Sequence, residues 1–165
     1  VLRDGLLLRV DRETKKVAGK LPLSQWKDVI DVNLTGVFLT GREAAAKMVD
    51  LNTRGVIIAL SSISAKGNFG QTNYAASKAG VEALVVVWSK ELARYGIRTA
   101  GIAPGFIETP MVMKDMKPEA LEKVKAQIPV GRLGRPEEIA MTAVYIAECD
   151  LVDGVTIGVT GGMRI

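Results

Sequence analysis

The sequence predicts an α/β fold with a doubly wound parallel sheet, in which helices cover both faces of the strands. Two observations lead to this prediction. Three short runs rich in β-branched and other apolar residues, Val56–Leu60, Arg98–Ala103 and Val155–Thr160, are bounded by glycine, serine or proline, as is typical of strands buried in a parallel sheet. Helical patterns of ten or more residues lie between these runs, and this alternation favours parallel strands joined by crossover helices.

The N-terminal part of the chain contains a polar segment and then a long helix. Residues 9–20 carry seven charged side chains and a glycine, so we expect a surface loop or a short hairpin there. Ser24 can then cap a helix that continues to about Leu51. Apolar residues recur along it at intervals of three and four, which predicts one buried face. They are Trp26, Val29, Ile30, Val37, Ala44, Ala45 and Met48.

Three further helices are predicted in the rest of the chain. A loop over Ser61–Gln71 leads into a second long helix, Asn73–Tyr95, which Gly96 is expected to end, as glycine ends many helices. A short helix is expected over Glu119–Gln127. Another should begin at Pro136, because proline is favoured at the first helical position and two glutamates follow in the first turn.

The composition excludes several classes of protein. Of the 165 residues, 48% are hydrophobic and 24% are charged, which is typical of a globular domain. The longest apolar run, Ala83–Trp88, is too short to cross a bilayer, and no secretory signal pattern is present, so we expect a cytoplasmic protein without a membrane partner. With the single Cys149 and no histidine, we expect neither an internal disulfide nor a metal site. The 22 Lys and Arg are interleaved with 18 Asp and Glu, which indicates a solvated surface and not a nucleic-acid interface.

Two side chains with complementary chemistry lie at the start of the second long helix. Tyr74 and Lys78 are four residues apart and therefore share a helix face. A phenol can donate a proton to a carbonyl oxygen, and an ammonium group beside it lowers the phenol pKa from about 10 toward neutrality. Taken alone, this spacing also arises by chance.

Other polar positions have both a functional and a structural interpretation. Ser61 follows the first strand at its carboxyl end, where ligands bind in open α/β sheets, although it could equally cap a local turn. Asn33 interrupts the apolar stripe of the first helix and would need hydrogen bonds in either role. Pro104 and Gly105 end the second strand, where backbone can approach a ligand, and Thr109 follows with a hydroxyl; a turn without function is the alternative.

Four segments together resemble the short-chain dehydrogenase/reductase family in their order and spacing. They are Val32–Leu34, Ser61–Ser64, Gly70–Gly80 and Ala103–Pro110. Within the family the chain is most similar to the bacterial 3-oxoacyl-[acyl-carrier-protein] reductases. That closer resemblance rests on Gly67–Tyr74, Gly131–Glu137 and Gly161–Gly162.

The resemblance implies a Rossmann-like fold and a catalytic role for four residues. Tyr74 would be the general acid that protonates the substrate oxygen during reduction, and the base in the reverse reaction. Lys78 would bind the nicotinamide ribose and lower the Tyr74 pKa. Ser61, thirteen residues before Tyr74, would orient the carbonyl and stabilise charge developing on its oxygen. Asn33 would hold a water molecule that links Lys78 to solvent.

The resemblance also implies a nicotinamide cofactor, with NADP(H) expected over NAD(H). Besides Tyr74 and Lys78, the cofactor-binding residues would include Pro104 and Gly105. The Ile107 backbone and the Thr109 hydroxyl would position the nicotinamide carboxamide. These are expectations that the family carries to the matching positions of this sequence.

The sequence departs from the family at its beginning. Members open with a strand, a glycine-rich turn that binds the pyrophosphate and a helix, and they carry an Asn-Asn-Ala-Gly turn after the fourth strand. Neither motif occurs here, and Val1–Gly5 resembles the segment that follows the second motif. We therefore expect residues 1–165 to be the C-terminal two-thirds of a single NAD(P)-binding Rossmann-like domain.

The expected function is reduction of a ketone, a 3-oxoacyl thioester in the first place, with NADPH. One alternative is another NAD(P)-dependent alcohol or ketone dehydrogenase of the same family. A second is a truncated, non-catalytic scaffold subunit. Family members commonly pair through the two long helices, and the second helix is apolar over much of its surface, so we also expect a homo-oligomer, a dimer or a tetramer.

Overall fold

The computed structural model describes residues 4–116 and 118–165, so the resemblance at positions 1–3 lies outside the described residues. The strands are β1 (Leu8–Val10), β2 (Val17–Lys20), β3 (Gly55–Leu60), β4 (Ile97–Pro104) and β5 (Val155–Val159). The α-helices are α1 (Leu23–Ile30), α2 (Gly36–Asp50), α3 (Thr72–Leu92), α4 (Pro110–Asp115), α5 (Pro118–Gln127) and α6 (Pro136–Glu148). In the described part of the chain, no helix combines the length and apolar character that crossing a membrane requires.

Strands β3, β4 and β5 form a parallel sheet in that order, which confirms the predicted fold class. The central strand β4 is buried along most of its length. Strand β3 lies at one edge of the sheet and is only partly buried, and Leu60 at its end is 53% exposed. The expectation of a fully buried first strand was therefore wrong, because only one of its two edges is hydrogen-bonded to a neighbouring strand in the described structure.

Helices cover both faces of this sheet, as the doubly wound arrangement requires. On one face Ala59 of β3 packs with Val81 and Val85 of α3. On the other face Ala100 and Ile102 of β4 pack with Ile146 of α6. Alternate residues of the strands thus point into two separate apolar layers, and α3 is held against the sheet by one of them.

The first long helix is interrupted where the sequence predicted a continuous one. It begins at Leu23, with Pro22 as its N-cap, so Ser24 lies inside the first turn and caps nothing. Residues Asp31–Thr35 form a π-helical segment between α1 and α2. Such segments carry one extra residue per turn and are frequent at functional sites. Asn33 lies in this segment, which explains why a polar residue interrupts the apolar stripe.

The second long helix and the strand after it follow the prediction closely. Helix α3 is followed by one 3-10 turn, Ala93–Tyr95, and Gly96 adopts the left-handed conformation, with φ of 69°, that ends it. One helix was not predicted. In α4, Thr109 caps the first turn by accepting a hydrogen bond from the Val112 amide at 3.3 Å, and a proline follows the cap.

The charged segment near the N-terminus is a hairpin, one of the two forms predicted for it. Strands β1 and β2 pair antiparallel, and nearly all of their residues are exposed. The hairpin is a separate two-stranded sheet and is not hydrogen-bonded to the three-stranded one.

Candidate active site

The first turns of α3 place Tyr74 and Lys78 on one face of the helix, as predicted. The Lys78 ammonium nitrogen lies 5.7 Å from the centroid of the Tyr74 ring. It donates a hydrogen bond of 2.8 Å to the Leu60 carbonyl oxygen, the last one of β3. This bond connects the helix to the carboxyl end of the sheet, and partial burial there lowers the pKa of Lys78.

The electrostatic environment of Tyr74 differs from the one expected. Burial raises the pKa of the Tyr74 phenol above its ordinary value, a hydrogen bond with the Ser62 side chain opposes the increase, and the negative charge of Asp4 adds to it. Lys78 was expected to lower this pKa. Its ammonium instead lies against the Leu60 carbonyl, and desolvation of the phenol is the largest influence.

The two serines that follow β3 have different partners. The Ser61 hydroxyl is buried and donates a hydrogen bond of 3.0 Å to the Glu82 carboxylate. The Ser62 side chain is the one of the two that influences the pKa of the Tyr74 phenol, which it lowers. Ser62 is fully extended, with φ of −163° and ψ of 154°, and successive side chains of an extended chain point in opposite directions. Only one of two adjacent serines can therefore face Tyr74.

The counting of thirteen residues back from Tyr74 indicated Ser61, and sequence reasoning missed Ser62. The signal that could have found it is the pair of consecutive serines itself. Side chains alternate in direction along an extended chain, so the sequence leaves open which of the two serines points toward the site. Ser62 also accepts a hydrogen bond of 3.1 Å from the Ser64 amide and so caps the 3-10 turn Ile63–Lys66.

Asn33 reaches the same helix from the side of the π-helical segment. It is 8% exposed, and its side-chain amide donates to the Ser77 hydroxyl at 3.4 Å. That hydroxyl in turn donates to the Tyr74 carbonyl oxygen at 2.7 Å. The structure therefore connects Asn33 to the backbone of the turn that carries Tyr74, on the buried side of α3.

The remaining predicted residues lie at the carboxyl end of the adjacent strand. Strands β3 and β4 run parallel, and the Ser61 amide bonds to the Ile102 carbonyl at 2.8 Å, so the segments that follow the two strands leave the sheet side by side. Pro104 ends β4, and a Cβ atom added to Gly105 would lie 3.0 Å from the Thr160 backbone, so this turn needs glycine.

Ile107 and Thr109 continue from that turn and are held by local bonds. Ile107 forms a bridge with Gly134, and the Ile107 carbonyl accepts a hydrogen bond from the Thr109 amide at 2.8 Å. The Thr109 hydroxyl caps α4, a role that spacing did not indicate. The structure thus places Tyr74 and Lys78 on one face of α3, with Ser61 and Asn33 bonded to the same helix. The other four candidates lie at or just after the end of the neighbouring strand.

No group of three or more acidic, cysteine or histidine side chains that could hold a metal ion occurs among the described residues. The chemistry that these side chains offer is proton transfer. A phenol held beside a hydroxyl donor and an ammonium group can protonate a carbonyl oxygen and stabilise the charge that develops there.

Comparison with known proteins identifies the same family along nearly the whole chain. The profile of the enoyl-(acyl carrier protein) reductase family matches residues 9–164. The chain is 44% identical over 164 residues to the (3R)-3-hydroxyacyl-CoA dehydrogenase of Canis lupus familiaris, which covers 98% of this chain and 59% of that protein. It is 41% identical over 167 residues to the 3-oxoacyl-[acyl-carrier-protein] reductase FabG of Thermotoga maritima, covering 100% of this chain and 63% of that one.

The fold has close counterparts among solved structures. The crystal structure of 3-hydroxyacyl-CoA dehydrogenase type-2 from Mycobacterium avium superposes with a TM-score of 0.85 at 32% sequence identity. The match covers 98% of this chain and 64% of that one. The chain therefore spans somewhat less than two-thirds of the length of each of these proteins.

Proposed function

Because this chain belongs to the short-chain dehydrogenase/reductase family, we propose that the protein carrying it reversibly reduces a 3-oxoacyl thioester to the 3-hydroxyacyl thioester with a nicotinamide cofactor. The observation that carries the proposal is the placement of Tyr74, Ser62 and Lys78 around the carboxyl end of β3. The names of two relatives, one a 3-oxoacyl reductase and one a 3-hydroxyacyl dehydrogenase, describe the two directions of this reaction.

Lys78 has the donors that a nicotinamide ribose would need. An ammonium group carries three N–H donors, and in the described structure one of them is used, by the Leu60 carbonyl. The other two can bind the ribose hydroxyls. When bound, the cofactor would supply a hydride to the substrate carbonyl carbon.

Tyr74 and Ser62 would complete the reaction at the carbonyl oxygen. The Ser62 hydroxyl donates a hydrogen bond to that oxygen, and the Tyr74 phenol transfers its proton to it as the new C–H bond forms. The raised pKa of Tyr74 keeps the phenol protonated at neutral pH, which suits reduction. The reverse reaction needs the phenolate, so oxidation should be favoured as pH rises. Asn33 supports the turn that holds Tyr74 through Ser77.

The cofactor and substrate can be tested on the native protein that carries this chain. We expect oxidation of NADPH on addition of a short 3-oxoacyl-CoA, with a higher kcat/KM for NADPH than for NADH. Turnover of simple ketones but not of thioesters would overturn the substrate assignment and favour another dehydrogenase activity of the family. Absence of nicotinamide binding would overturn the proposal as a whole.

We also propose that two copies of the chain associate through α2 and α3. Val81 and Val85 are buried against the protein's own sheet, whereas Val87 is 46% exposed. A cavity of about 410 Å³ lies between the two helices, where Phe38 is 41% exposed. Apolar side chains that are exposed to solvent are typical of interfaces between subunits. A monomeric mass by light scattering at micromolar concentration would contradict this.

A further inference from the structure

The Glu82 carboxylate bonds to both ends of the segment that contains Ser62. One oxygen accepts the hydrogen bond of 3.0 Å from the Ser61 hydroxyl. The other accepts a bond of 2.9 Å from the Lys66 ammonium. Glu82 lies one helical turn beyond Lys78 on α3, and its side chain is only 18% exposed. None of the roles assigned above uses this residue.

The segment between these two bonds is short and carries the hydroxyl that faces Tyr74. It consists of the first residue after β3, then Ser62, and then the 3-10 turn that ends at Lys66. Ser62 caps that turn, and its side chain lowers the pKa of the Tyr74 phenol. The Ser61 end is also held by its amide bond to the Ile102 carbonyl, and the Lys78 carbonyl lies 3.3 Å from the Ser61 hydroxyl. Glu82 is the side chain that bonds both ends of the segment to the helix that carries Tyr74.

We infer that Glu82 is a positioning residue, which holds the segment that carries Ser62 against helix α3 by bonding Ser61 and Lys66. This inference rests on the proposed function, since it assigns to Glu82 the support of the residue that would orient the substrate carbonyl. The same role for Glu82 explains why the Ser61 hydroxyl is buried: it donates to the carboxylate that holds the segment. The spacing to Tyr74 had instead suggested a catalytic role for this hydroxyl.

A purely stabilising role predicts a different pattern of effects. The Lys66 side chain is 73% exposed, and ion pairs with a partner in solvent contribute little to stability. Without the carboxylate, the buried Ser61 hydroxyl still has the Lys78 carbonyl, 3.3 Å away, as an acceptor. Loss of the carboxylate should therefore change the free energy of unfolding only slightly. Loss of the orientation of Ser62 should raise the pKa of Tyr74, because the Ser62 side chain is the influence that lowers the pKa of that phenol.

The decisive experiment is a spectroscopic titration of Tyr74 in the native protein. Subtracting the tyrosinate absorbance of Tyr74→Phe isolates the ionisation of this phenol, which is also surrounded by the charges of Lys78 and Asp4. We expect Glu82→Ala to shift the ionisation to higher pH, Glu82→Gln and Lys66→Met to shift it less, and Ser62→Ala to shift it as Glu82→Ala does. Glu91→Gln, an exposed glutamate on the same helix, is the matched control and should shift nothing.

A second arm tests whether the effect passes through Ser62. In the Ser62→Ala background, Glu82→Ala should produce no further shift. In the wild-type background it should lower kcat about tenfold or more, because small displacements of a reacting group are costly, and cofactor affinity should change little. An unchanged Tyr74 ionisation in Glu82→Ala, or a full further shift without Ser62, would overturn the inference. The titration needs no substrate, so it tests the role of Glu82 even if the protein does not catalyse the proposed reaction.

Discussion

The loop over residues 61–71 and the hairpin over residues 8–20 are similar in length but are held in different ways. Side-chain bonds fasten the loop to residues far away in sequence, such as the bond between Lys66 and Glu82. In the hairpin, the Asp11 carboxylate accepts from the Glu13 and Thr14 amides and from the Thr14 hydroxyl, all within three residues. A loop that contributes side chains to an active site needs bonds to residues far away in sequence. Local bonds define the shape of a turn, but they do not fix its position relative to another element.

The charges of the two segments show the same difference. The hairpin carries five cationic and two anionic side chains, and none of the cations forms an ion pair with another described residue. Lys66 of the loop, in contrast, pairs with a carboxylate on α3. The comparison predicts that substitutions in and around the loop change catalysis, whereas substitutions in the hairpin change almost nothing.

The largest effect is expected at Tyr74, which lies beside the loop. Tyr74→Phe removes only the hydroxyl, and loss of a general acid typically costs about 10²–10⁴-fold in rate. Cofactor affinity should stay near the wild-type value because Lys78 remains. Steady-state rates with a fluorescence titration of NADPH would measure both. A rate within threefold of wild type would remove Tyr74 from the mechanism.

The two serines provide the sharpest test within the loop. Ser62→Ala should lower kcat by roughly 10²-fold, in the range found for loss of one donor to a developing oxyanion. Ser61→Ala keeps the Ser62 hydroxyl and removes one bond to Glu82, so its effect should be clearly smaller. The same kinetic assay compares the two variants. The reverse order would restore the assignment that spacing suggested.

A smaller effect is expected in the pH dependence of stability. A phenol whose pKa is raised on folding stabilises the protein below its unfolded pKa of about 10, and this contribution is lost as pH rises through the folded pKa. The free energy of unfolding should therefore fall with increasing pH above about 10. Urea unfolding across that range should show a shallower decrease in Tyr74→Phe. Identical slopes would mean that Tyr74 is not desolvated in the folded protein.

The smallest effect is expected in the hairpin. Asp11→Ala removes three hydrogen bonds, but all of them are exposed and local, and they lower the pKa of a carboxyl at the surface. Turnover and the thermal midpoint should remain at wild-type values in an activity assay and a melting curve. A marked loss of activity would show that the hairpin contributes to the site and that the comparison with the loop is wrong.

Much of the architecture could be predicted because it depends on neighbours in sequence. The strand at Val155 and the helix beginning at Pro136 were found from apolar runs, glycine and proline positions and acidic first turns. The π-helical segment around Asn33 was missed, since the apolar stripe resumes after it and periodicity does not reveal one extra residue. The partial burial of β3 was also missed, because burial depends on how many neighbours a strand has, and that number is not a local property.

The sequence by itself determined the parallel α/β fold, the family and the pair of Tyr74 and Lys78, because each depends on patterns within a few residues or on motif order. Only the tertiary structure gave the two adjacent serines different partners. Their side chains point in opposite directions along the extended chain after β3, and Ser61 is bonded to Glu82, which also pairs with Lys66 from a helix sixteen or more residues away. Contacts of this kind have no local signature, so they become visible only when the helix lies against the loop.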